Sequence, residues 1–202
     1  MGIRLLFAAL SLVLLVSFSS TERAEAAAAS DPDAYITGLG NQVLDLFKDT
    51  GRADAERERK FREIANNAFD VPKIARFILG RYWTTASDAE RQQFVSVFDD
   101  YMLHVYWSYF NQYHALGMTV LSKRDEGSSV RIASQIIRPN GQAPVRVDWT
   151  ITASGDTYKI VDVSIEGVSQ ALAYRDEFAS IINRNGGHIS ALTDELRHKV
   201  GT

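Results

Sequence analysis

Val145-Arg146-Val147-Asp148-Trp149-Thr150-Ile151-Thr152 decides the fold class. In an extended chain successive side chains alternate between two faces. Val145, Val147, Trp149 and Ile151 then share one face, and Arg146, Asp148, Thr150 and Thr152 share the other. Residues 144–153 therefore read as a half-buried strand. Ser154-Gly155-Asp156 follows as a turn, and residues 158–165 read as its antiparallel partner. Upstream, residues 129–138 alternate more weakly through Val130, Ile132, Ser134 and Ile136, with Asn140-Gly141 as the connecting turn. Residues 118–122 make a fourth strand. The reading is an antiparallel meander with one dry face and one wetter face.

Helical spacing flanks this sheet on both sides. Tyr35, Ile36, Leu39, Val43, Leu44, Leu46 and Phe47 recur at three- and four-residue steps over 33–49. Residues 54–68 are dense in charge, with a thin apolar stripe through Phe61, Ile64, Ala65 and Ala68. Asp70-Val71-Pro72 opens a short helix that Gly80 stops. Ser87-Asp88-Ala89-Glu90 fits a capping box, and the long helix behind it reaches His114. After the strands, 168–185 and 189–200 are helical, separated by Gly186-Gly187. The order predicts one α+β domain: an antiparallel four-stranded curved sheet packed against N-terminal and C-terminal helices.

The first 26 residues read as a signal peptide. A basic start at Arg4 precedes an apolar run over 5–18, and Ala24-Glu25-Ala26 supplies the small-x-small cleavage pattern. That run falls short of the roughly 20 residues a membrane span needs. Residues 27–202 then form the single mature domain. The formal net charge of −3 stays the same after cleavage, and the chain has no cysteine. Mild acidity argues against a nucleic-acid partner, which calls for a basic face. The absence of cysteine leaves neither a disulfide nor a thiol nucleophile.

Catalytic and metal patterns are weak. There is no Gly-x-Ser-x-Gly elbow, and Ser169 reads as a helix N-cap or turn residue. His104 and His114 stand ten residues apart on one helix, too far to share an ion. Asp99-Asp100 lies on a helix where adjacent side chains diverge, and reads as a solvated edge. No residue is assigned a catalytic or metal-ligating role, and no cofactor is expected. The unusual feature is the aromatic half of the long helix. Tyr101, Tyr106, Trp107, Tyr109, Phe110 and Tyr113 fall within thirteen residues and point nearly all round it. A helix on a flat core needs only a stripe. Two readings stand: a helix sandwiched between sheet and helices, or one with a face lining a cavity for an apolar ligand.

Three stretches carry a resemblance to a known family. Phe69-Asp70-Val71-Pro72-Lys73-Ile74-Ala75-Arg76-Phe77-Ile78-Leu79-Gly80-Arg81-Tyr82-Trp83 runs into Thr85–Phe94. Asp162-Val163-Ser164-Ile165-Glu166-Gly167-Val168-Ser169 joins the last strand to a helix. Tyr174-Arg175-Asp176-Glu177-Phe178 leads to Gly186-Gly187 and Leu192. Together they resemble the MlaC, or toluene-tolerance, family of periplasmic lipid-binding proteins, and the aromatic density also suits its hopanoid-associated HpnM branch. The resemblance implies an apolar pocket between sheet and helices. It also implies a phospholipid or hopanoid ligand that is shuttled between an inner-membrane ABC-type transport complex and an outer-membrane lipoprotein complex. The family shares no catalytic residues, so an enzyme is not expected.

On that reading the pocket is lined by Val145, Val147, Trp149 and Ile151 from the sheet and by Met102, Tyr106, Tyr109, Phe110 and Tyr113 from the long helix. Val168 and Leu172 close it. Two alternatives differ in class. An enzyme of the cone-shaped α+β type would carry an acid, Asp148 or Asp162, inside an apolar cup. A ligand-free adaptor between membrane complexes would have a filled interior and a large exposed apolar patch.

Overall fold

The computed structural model describes residues 31–113 and 115–201, with the side chains of 111–113 left aside. The expected signal peptide lies outside the described residues.

Local signals set the helix boundaries. Asp31 caps α1 (Pro32–Lys48) by accepting the Asp33 N–H, and Pro32 occupies its first turn. Charged α2 (Asp54–Ala68) buries Phe61 and Ala68. Asp70 caps α3 (Val71–Leu79) through the Lys73 N–H at 3.1 Å. Gly80 ends α3 at φ 52°, a conformation that favours glycine. The Arg175 guanidinium lies 3.1–3.3 Å from where a Cβ on Gly80 would stand, so a side chain there meets both strain and a neighbour. A single turn, α4 (Arg81–Thr85), leads to the capping box. There Ser87 donates to Glu90 Oε2 from its amide at 2.9 Å and its hydroxyl at 2.7 Å, and Ser87 Oγ accepts the Glu90 N–H. The long helix α5 (Asp88–Tyr113) follows.

The sheet is a meander of five strands, β1 (Gly117–Asp125), β2 (Val130–Ile137), β3 (Val145–Ser154), β4 (Thr157–Ile165) and β5 (Val168–Ser169), in the order of the chain. Every neighbouring pair is antiparallel, and the sheet does not close. The fifth strand is two residues long, too short for any alternation to reveal. It folds back on β4 over Glu166-Gly167, at φ 49° and 82°. Glu166 tolerates that backbone because Arg146 holds it twice: the Glu166 N–H donates to the Arg146 carbonyl at 3.0 Å, and Glu166 Oε1 accepts the Arg146 N–H at 2.6 Å. Shifts of register at Val120/Ser122 and Thr150/Ile151 increase the twist. Ser169 caps α6 (Gln170–Arg184), so that helix starts two residues later than its hydrophobic pattern implies. The chain continues into α7 (Ile189–Val200).

The apolar residues gather in three clusters. One joins α3, the first half of α5, α6 and α7 around Phe94, Phe98, Phe178 and Leu192. A second sets Ile36 of α1 and Ala68 of α2 on Ile132, Ile151 and Ile160 of the sheet. A third packs Leu46 and Phe61 on Leu103, with Phe47 stacked on Phe110 at 5.3 Å and 21°. The long helix serves two clusters on different faces, which is why it is apolar nearly all round.

Candidate functional site

A cavity of about 670 Å³ lies between these clusters. Its walls come from α1, α2, α3, α5, α6 and the strands β1–β4. The site is a hydrocarbon-lined hollow with a few polar groups at named places.

The long helix contributes Met102, Tyr106, Tyr109 and Phe110, and β3 contributes Val145, Val147 and Trp149. These seven of the residues expected from the sequence come together around the hollow. The indole N–H of Trp149 donates to Ser134 Oγ at 2.9 Å, and Ser134 donates onward to the Val147 carbonyl at 2.8 Å. That leaves the carbon face of the indole for the cavity. Lining residues run along α5 from Phe98 to Phe110, a length of about 18 Å at 1.5 Å per residue.

Four of the expected residues stand elsewhere or outside description. Ile151 does not line the cavity. It is fully buried in the second cluster, where Ile36 and Ala68 cover the sheet directly and the hollow ends. Val168 and Leu172 are exposed at 57% and 52% and do not close the pocket. Because α6 begins at Gln170, its inward face carries Ala171 and Tyr174, three residues apart, and Leu172 falls about 100° away. The Tyr113 side chain lies outside the described residues.

Other wall residues escaped the sequence reading. Val43 and Leu44 on α1, Ile64 on α2, Ile74 on α3, Ile136 on β2 and Ile165 on β4 all face the cavity. Their apolar periodicity marks them as inward but does not separate packed core from wall. Gly40 is also in the wall. A Cβ there would run into the Met118 thioether, itself a lining group. Gly40→Leu should therefore drive both side chains into the cavity. The protein should stay folded, since the glycine it replaces is the poorer helix former, and should retain severalfold less ligand per chain after purification.

Among the described lining residues the one cation is Arg138, whose Nε donates to the Ala143 carbonyl at 2.7 Å. Two carboxylates also reach the wall. Asp162 Oδ1 accepts the Ala171 N–H at 3.0 Å, at the start of α6, where a negative charge suits the helix end. Asp99 belongs both to the cavity and to a shallow cleft of about 210 Å³ that shares Asn66, Phe69 and Val71 with it. Burial, and secondarily the neighbouring Asp100, push the Asp99 carboxyl above the usual carboxylate range, against the pull of Arg62. A carboxyl raised on folding favours the folded state most when protonated, and that contribution fades as pH rises through the raised value. Asp99→Asn should therefore raise the melting temperature at pH 7, with the gain shrinking towards pH 4. A thermal denaturation series over pH checks it. Asp148 does not line the cavity and pairs with Arg146 at 3.0 Å.

No three His, Cys, Asp or Glu side chains converge on a metal-sized site among the described residues. None of the described helices is long and apolar enough to cross a membrane. A family model described as MlaC protein matches residues 38–198. The chain belongs to the MlaC family. That match takes in every residue that lines the cavity. The toluene tolerance protein ttg2D of Pseudomonas putida is 24% identical over 189 residues, covering 91% of this chain and 86% of that protein. Among solved structures, a phospholipid-binding protein of Ralstonia solanacearum, determined in complex with a phospholipid, superposes with a TM-score of 0.70 at 20% identity. The alignment covers 86% of this MlaC-family chain and all of that one. The open curved sheet with helices at both ends is thus an MlaC-like fold.

Proposed function

We propose that this MlaC-family protein is a periplasmic carrier that holds the tails of a phospholipid in its cavity and shuttles the lipid between the inner and outer membranes. The observation that carries the reading is the 670 Å³ hollow with predominantly apolar walls. A lipid with about 30 tail methylenes costs roughly 24 kcal/mol to expose to water, at about 0.8 kcal/mol per methylene. Unaided crossing of an aqueous gap is correspondingly slow. A soluble protein lowers that barrier by substituting its own apolar walls for the bilayer.

The dimensions suit the task. The 18 Å run along α5 is close to one leaflet, half of a hydrocarbon core about 30 Å thick. At about 30 Å³ per methylene, close to the volume of a liquid water molecule, the cavity takes some 20 of them. The rest of a diacyl lipid must be accommodated by outward movement of the helices or left at the mouth. The named relatives agree: one confers toluene tolerance by its name, and the other was solved holding a phospholipid. A signal peptide over residues 1–26 would deliver the chain to the periplasm. The partners on this reading are an inner-membrane ABC-type complex and an outer-membrane lipoprotein complex. A hopanoid is the second candidate ligand.

An enzyme would use Asp162 or Asp99 at the cavity wall. Asp162 is already engaged at the start of α6, and Asp99 has no histidine or lysine beside it in the lining to relay a proton. The carrier reading needs neither. It is tested by transfer of a fluorescent phospholipid from donor to acceptor liposomes. The protein should accelerate transfer in proportion to its concentration. A rate equal to the protein-free control would sink the proposal.

A further inference from the structure

The cavity wall contains two tyrosine hydroxyls that the carrier reading leaves unexplained. Tyr106 of α5 and Tyr174 of α6 both line the hollow. Neither hydroxyl has a hydrogen-bond partner among the described residues. A tyrosine hydroxyl that a ligand cuts off from water normally finds one. Both rings are half-buried, and each presents surface to the cavity. Tyr174 is held edge-on to Phe98 at 6.4 Å and to Tyr101 at 6.2 Å, and it leans on Phe178 at 5.4 Å. Burial pushes both phenols above their ordinary range, with Asp162 adding to the rise at Tyr106 and Tyr106 to the rise at Tyr174. Both therefore stay neutral and able to donate at any physiological pH.

Depth tells what they meet. Tyr109 lines the cavity yet is half exposed, so it marks the rim. Tyr106 lies one helical turn back along α5 from Tyr109, about 5 Å away, and is less exposed. Tyr174 lies one turn into α6 from Gln170, the lining residue that starts that helix. A diacyl glycerolipid whose headgroup sits at the rim and whose tails fill the hollow places its ester carbonyls at this level. A plain hydrocarbon packed there leaves the two donors without partners, which costs binding energy. A carbonyl acceptor satisfies them.

We propose that the Tyr106 and Tyr174 hydroxyls donate to the ester carbonyls of a bound acyl glycerolipid, so that the cavity selects ester-linked lipid over ether-linked or polycyclic lipid of similar size. This inference rests on the carrier reading and adds a specificity to it. The tails supply affinity without regard to linkage, and the tyrosines read the linkage. A site built to bond a polar group discriminates against the analogue that lacks it.

The test offers the full-length mature protein equal amounts of two phosphatidylcholines in mixed vesicles, one diacyl and one dialkyl-ether, with the same chains and headgroup. Native mass spectrometry then counts which is retained. The wild type should hold the ester lipid roughly tenfold in excess, the scale of one to two neutral hydrogen bonds. Tyr106→Phe, which keeps the ring, should bring the ratio close to parity. Tyr174→Phe should lower it in the same direction. Tyr101→Phe, a core tyrosine outside the lining, should leave it unchanged. Equal retention of the two lipids by the wild type overturns the selection while leaving the carrier intact. A preference that survives in the Tyr106→Phe, Tyr174→Phe double variant also overturns it. Retention of neither lipid overturns the carrier reading and this inference together.

Discussion

Val147→Asp is expected to leave the protein folded and to lower its retained lipid by 100-fold or more. Val147 faces the cavity from near the start of β3 and belongs to none of the three packed clusters. A carboxylate there is hydrated by water in an unloaded cavity. A hydrocarbon tail has to displace that water, and the effective penalty for desolvating an ion is several kcal/mol. At 1.4 kcal/mol per factor of ten, two or more orders of magnitude follow. Pairing with Arg138 does not rescue the charge, because Val147 is opposite Ser134, and Arg138 lies four residues further on, just past the end of β2. The sign with pH is also set. Lipid binding favours the neutral acid, so the Val147→Asp variant should regain lipid as pH falls. Val147→Thr keeps the volume, adds only a hydroxyl, and should lose far less. Lipid extracted per mole of purified protein measures all three. Unchanged lipid content in Val147→Asp would remove this wall from the binding site.

The second large effect is on stability. Phe178→Ala should cost about 3–5 kcal/mol, the usual range for deleting a core phenylalanine. Phe178 is fully buried, and Phe94 and Phe98 meet its ring edge-on at 6.3 and 6.2 Å. It ties α6 to α5. A domain of this size has a total stability of about 5–15 kcal/mol, so the loss is a large share. Urea denaturation should show the midpoint falling with little change of slope. Because Phe178 is not in the cavity lining but supports Tyr174, Phe178→Leu should fold, melt lower and still carry lipid. A loss below about 1 kcal/mol for Phe178→Ala would show that this cluster does not hold α6 in place.

These two residues show what could be read in the sequence. Val147 was visible because strand alternation assigns faces without knowing what covers them. The same rule put Ile151 in the pocket. It named the correct side of the sheet, but α1 lies on that side at one end only, and no periodicity in β3 reports where Ile36 will land. Capping chemistry was legible at Asp70, Ser87 and Ser169 because a cap is a local match between a side chain and nearby amides. Ser169 as the cap also explains the misplacement of Val168 and Leu172: with 168–169 extended, the two no longer share a helical face, and the face turned inward runs through Ala171 and Tyr174, about 100° from Leu172. The crowded aromatics on α5 left two readings open, and the structure contains both, a packed face towards α2 and α7 and a cavity face at Met102, Tyr106 and Tyr109. The hollow itself could not be read from residue patterns. Packed and unpacked apolar side chains have the same composition, and only the spacing of helices over the sheet separates them.

The most direct test of the account is native mass spectrometry of the mature protein purified without detergent, followed by release and identification of whatever adds to its mass. The account predicts a bound phospholipid of about one copy per chain in the wild type and bare protein for Val147→Asp. Wild-type protein that carries no lipid, and gains none after incubation with liposomes, would contradict it.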